Sequence, residues 1–144
     1  MHRSVLLPTI FAFAGLLAAC SGQPPAPASH PLAGAWRTSP EDLPYSGPIP
    51  NTKQVAINLR LSAEGTGHWK PYYVSDGMHL PSSENSGQKL RWHEVEGAIT
   101  FESADTPTST CRGRASPDKL ELEVAGCDFL AKLVSLPNVT FARL

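Results

Sequence analysis

From Leu32 onward, no stretch of this chain carries apolar residues at helical spacing for as much as three turns, which removes helical bundles from the architectures to consider. Charge is also sparse: 17% of the 144 residues are charged and the formal net charge is -1. Without a basic excess there is no electrostatic footprint for a phosphate backbone, so nucleic acid is not an expected partner. The Gly-x-Ser-x-Gly elbow of serine hydrolases is missing as well. His93-Glu94-Val95-Glu96-Gly97 starts like a zinc-protease helix, yet its fifth residue is glycine and the segment alternates as a strand. Two ligands at i and i+4 need a helix to face one way. His68, His79 and His93 have no spacing that brings them together, and Glu64, Glu94, Glu96 and Glu102 read as a solvated face. No enzymatic activity, metal or cofactor is expected.

Long hydrophobic runs are limited to one, residues 5–19. As a helix it would reach about 22 Å, short of a hydrocarbon core of ~30 Å, so it is not a permanent transmembrane anchor. With His2 and Arg3 ahead of it, the run has the form of a secretory leader over residues 1–19. Its small residues continue without a polar break into Cys20. Leu17-Ala18-Ala19-Cys20 resembles the lipobox of bacterial lipoproteins. That resemblance implies cleavage before Cys20, a diacylglyceryl group on its sulfur and acylation of the new amine. The membrane then becomes a partner through the acyl chains, each buried methylene contributing ~0.8 kcal/mol. Ser21, where an aspartate typically marks retention in the inner membrane, implies the outer membrane, facing the periplasm.

Three cysteines are an awkward number for an oxidising compartment. Lipidating Cys20 leaves Cys111 and Cys127 as an expected disulfide. A simple hairpin at Ser116-Pro117-Asp118-Lys119 would set Cys111 opposite about Val124, so the bridge requires a bulge near Gly126 or a connection outside that hairpin. Residues 20–31 form the second expected unit, the lipidated cysteine and a linker. Ser21 to Pro31 holds four prolines and no large apolar residue, too little to offset the entropy of ordering, and reads as a disordered tether.

Residues 32–144 form the third unit, a folded domain. Val55, Ile57, Leu59 and Leu61 alternate with Ala56, Asn58 and Arg60, the pattern of a strand with one buried face. Similar short runs fall at residues 35–38, 67–74 with Pro71 at a bulge or edge, 89–95, 98–101, 110–115, 120–124, 129–134 and 139–141. Two long connections, residues 39–52 and 75–87, separate some of them. Many short strands joined by tight turns predict an antiparallel meander closed into a barrel or, failing that, a sandwich. Leu32-Ala33-Gly34-Ala35-Trp36-Arg37, Leu61-Ser62-Ala63-Glu64-Gly65-Thr66-Gly67 and Val139-Thr140-Phe141-Ala142-Arg143 together resemble the small lipocalin-like barrels of bacterial envelopes. The resemblance implies an all-β, up-and-down barrel of about eight strands, with Arg143 closing the barrel over Trp36.

The segment from His68 to His79 is richest in the residue types that binding surfaces favour. Trp69, Tyr72, Tyr73, Met78 and His79 are the candidate contact residues. Alternation puts Trp69 with Tyr73 on one face and Tyr72 with Val74 on the other. Two partners remain open: an envelope protein bound at this surface, or a small apolar ligand carried inside the barrel as the lipocalin-like resemblance implies.

Overall fold

The computed structural model describes residues 30–81, 87–105 and 108–144. Cys20, the leader and linker residues 20–29 lie outside them. Alternation becomes strand pairing almost wherever it occurs. Val55, Ile57, Leu59 and Leu61 are buried along Gln54–Leu61. The same period runs through Leu90 and Trp92, Ile99 and Phe101, Leu120 and Leu122, and Val139 and Phe141, all buried. The elements are β1 (Gly34–Thr38), β2 (Leu43–Pro44), β3 (Gln54–Leu61), β4 (Thr66–Ser75), β5 (Met78–Pro81), β6 (Gln88–Val95), β7 (Ala98–Ser103), β8 (Thr110–Ala115), β9 (Lys119–Glu123), α1 (Asp128–Ala131) and β10 (Asn138–Arg143).

Eight of the strands close an antiparallel up-and-down barrel, because β1 pairs with both β3 and β10 while β3 also pairs with β4. The two extra strands extend single ladders, β2 along β3 and β5 along β4. Both lie within the connections expected to be loops. Each is two to four residues long, and only its long-range partner fixes it. Two hairpins turn on Asp76-Gly77 and Glu96-Gly97, where both residues have positive φ; that backbone matches the twist of adjoining strands, and glycine adopts it without steric cost. Pro71 sits where the neighbour of β4 changes. Pairing with β6 ends at Trp69↔Gln88 and pairing with β5 begins at Tyr72↔Pro81, so a residue lacking an N–H is tolerated there.

Residues 129–134, expected as a strand, instead begin within α1 and continue past its end. Phe129, Leu130, Leu133 and Val134 are all buried, and their spacing puts them on one side of a helical turn. The helical turn drops this cluster onto the barrel core. Cys111 and Cys127 form a disulfide. The β8–β9 register pairs Gly113 with Leu122, so continuing the ladder would put Cys111 opposite Val124. The chain turns first: the Cys127 N–H donates to the Val124 carbonyl at 3.1 Å, and Gly126, at φ +82, carries the bend. The bridge therefore forms outside the hairpin.

Candidate functional site

The antiparallel order gives the barrel two different ends. At one end gather the β3–β4, β6–β7 and β8–β9 turns, and the chain enters there at residue 30. At the other lie segment 39–53, the β4–β5 turn and α1. We call these the floor and the mouth.

The floor is sealed. The Arg143 guanidinium carbon lies 5.1 Å from the centroid of the Trp36 ring. Its Nη1 donates to the Pro31 carbonyl at 2.8 Å and the Pro117 carbonyl at 3.0 Å, and its Nη2 donates to the Ala33 carbonyl. Trp36 Nε1 donates to the Leu32 carbonyl at 3.0 Å. The planar guanidinium thus covers an indole face while tying three chain segments together. Beside it, the His30 ring meets Trp92 edge-on at 4.7 Å, and Trp92 Nε1 donates to the carbonyls of Ser62 and Thr66.

The interior is filled by the protein's own side chains. Trp36, Phe101 and Phe141 are the largest of those fully buried, and Ile57, Leu59, Leu90, Ile99, Leu120, Leu122 and Leu130 pack with them. Trp69 belongs to this core. It is 3% exposed and stacks on Phe129 with ring centroids 4.1 Å apart, so it offers no surface to a partner.

The remaining candidate residues divide between two faces. Tyr73 is half-buried at the mouth, edge-on to Tyr45 at 5.3 Å. With Ile49, Phe129, Lys132 and Leu133 these two tyrosines line a cleft of about 390 Å³. Desolvation, and secondarily the neighbouring Tyr45 phenol, raise the Tyr73 pKa above its ordinary value. Next to the cleft the β4–β5 hairpin presents Met78, 61% exposed, and Leu80, 48% exposed. His79 Nε2 lies 2.6 Å from Asp42 Oδ1, which joins this hairpin to the segment leading into β2. Tyr72 points to the outer wall, with the Lys70 ammonium 5.9 Å from its ring centroid.

Tyr45, Ile49, Phe129 and Leu133 complete the cleft and were not candidates from the sequence. Phe129 and Leu133 are separated by four residues, a helical signal one turn long. Tyr45 and Ile49 lie in the proline-rich connection 39–52, whose length alone was informative. Among the described residues, no three His, Cys, Asp or Glu side chains gather to hold a metal ion. Comparisons with protein-family models, with curated proteins and with solved structures each found no match, so the geometry of this chain carries the functional reading.

Proposed function

We propose that the chain is a non-catalytic, lipid-anchored protein of the bacterial envelope, facing the periplasm from the outer membrane and binding another protein through the mouth of its barrel. Acylated Cys20 is the anchor in this reading, and the linker before residue 30 is its tether. The observation that carries the binding role is the contrast between a filled interior and an apolar mouth. A lipocalin-like carrier needs an interior volume for its cargo, whereas here aromatic and aliphatic side chains occupy it. Met78, Leu80 and Ile49 remain exposed around a cleft with two edge-packed tyrosines. Tyrosine and methionine beside a pocket suit an anchor side chain from a partner, since they supply large contact area with little ordering cost.

Site-specific photocrosslinking in intact envelopes of the source bacterium tests this role. A benzophenone side chain at Met78 or Ile49 should capture one discrete partner in common, and the same group at Lys119, the first residue of β9 at the floor, should not. Equal capture at all three positions, or none at the mouth, would contradict the proposal.

A further inference from the structure

We infer that the outer face of β3, β4 and β6 is a docking surface for the phosphate-bearing headgroups of an anionic lipid leaflet. This rests on the membrane-anchored reading above and adds a second contact to it. The chain contains 12 Lys and Arg against 13 Asp and Glu, so an even distribution would leave no basic region. The register produces one. Arg60 pairs with His68 and His68 with Lys89, so three basic side chains stand in a row across three neighbouring strands. Thr66 pairs with Arg91 one step nearer the floor, and Asn58 with Lys70 one step nearer the mouth. All point outward, because the residues alternating with them, Leu59, Leu61, Trp69, Leu90 and Trp92, are core.

Among the described residues, Arg60, Lys70, Lys89 and Arg91 are in no ion pair, as is also true of Lys53, Arg112, Arg114 and Lys132, whereas Arg37, Lys119, His30 and His79 each have an acidic partner; what sets the first four apart is that the register gathers them on one face. Among the described residues, acids border the face at Glu102, opposite Arg91, at Asp105, next to Ala104 of the groove lining, and at Glu64 in the β3–β4 turn. Backbone and Ser62 hydrogen bonds lower the Glu64 pKa, so it is anionic at neutral pH and marks the acidic edge of the patch. An open groove of about 570 Å³ is bordered by Arg60, His68, Lys89 and Arg91, with Leu90 and Ala104 also in its lining.

The position of the tether selects the occupant. Residues 30–33 are tied across the floor, and His30 packs against Trp92 and lies 3.8 Å from Glu94 of β6. The chain therefore leaves the domain beside β6, at the floor end of the basic face. His30 lies ten steps along the chain from Cys20, a reach of ~31 Å at 3.1 Å per residue. A leaflet holding acylated Cys20 is within reach of these cations, whose attraction to anionic lipid acts over about a Debye length of 8 Å.

The mature polypeptide without acyl chains, residues 21–144, isolates this contact, since every core side chain described lies within it. Co-sedimentation would be measured with vesicles of phosphatidylcholine alone and of phosphatidylcholine mixed with phosphatidylglycerol. Binding is expected only to the mixed vesicles and should weaken with added salt. Neutralising Arg60→Gln with Lys89→Gln should reduce affinity about 25-fold, at roughly fivefold per cation, while Arg112→Gln with Lys119→Gln changes it less than twofold. Unchanged thermal melting would establish that both variants fold. The inference is overturned by absence of binding to the mixed vesicles, by equal losses in the two variants, or by displacement with soluble glycerol phosphate at concentrations comparable to the lipid. Acylation is tested separately, from the N-terminal mass of the protein in its own membrane, so either reading can fail without the other.

Discussion

At the scale of single residues, Arg143 carries more of the floor than its exposure suggests, because one planar group meets three carbonyls and an indole. Arg143→Ala should cost about 1.5–3 kcal/mol, the range for hydrogen bonds involving a charged group, read as a lower urea midpoint at unchanged slope. Arg143→Lys should recover less than half, since an ammonium lacks the fork. Trp69 makes a different point. Its candidacy as a contact residue came from its type, and its burial against Phe129 makes it structural. Trp69→Ala should cost about 3–5 kcal/mol, as for other buried aromatics, whereas Tyr72→Ala should change stability by less than about 0.5 kcal/mol. Tyr73 supplies a pH signature. A phenol whose folded pKa is raised contributes stability that is whole below its unfolded pKa of about 10 and is lost as pH rises through the folded value. Alkaline denaturation should therefore begin later in Tyr73→Phe, and the late-ionising phenol should vanish from its absorbance titration.

At the scale of elements, the strongest local patterns were legible in the sequence. The alternation in β3, the Glu96-Gly97 hairpin and the pairing of runs around it are encoded within a few residues, and the closed barrel follows from them. The mouth was far less legible. β2 and β5 exist because β3 and β4 offer unpaired edges to Leu43 and to Met78, His79 and Leu80, a long-range fact with almost no local trace. The segment holding α1 was misread because a buried apolar run of six residues fits either a strand or one helical turn. Tertiary burial of Phe129, Leu130, Leu133 and Val134 together decides for the turn. The disulfide stitches that turn to β8 across a sequence separation of 16. Replacing both cysteines by serine should cost about 3 kcal/mol on chain-entropy grounds. The Trp69–Phe129 stack should loosen with it, visible as a changed near-ultraviolet dichroism of the tryptophans.

At the scale of the whole molecule, the described side chains divide by position on the barrel. Side chains fill the interior, the floor is latched by Trp36 and Arg143 close to residue 30, and apolar groups are exposed at the mouth. Among the described residues the interior is packed with side chains, and in the proposed reading the contacts are made outside it, on a surface that joins residues far apart in sequence, from Tyr45 to Leu133. Native mass spectrometry of the protein extracted from its own membrane tests this division most directly. A filled, anchored barrel should give the mass of the chain from Cys20 onward plus covalent acyl groups and one disulfide, with no further non-covalent small molecule. A bare N-terminus, or an apolar ligand bound at one per chain, would contradict it.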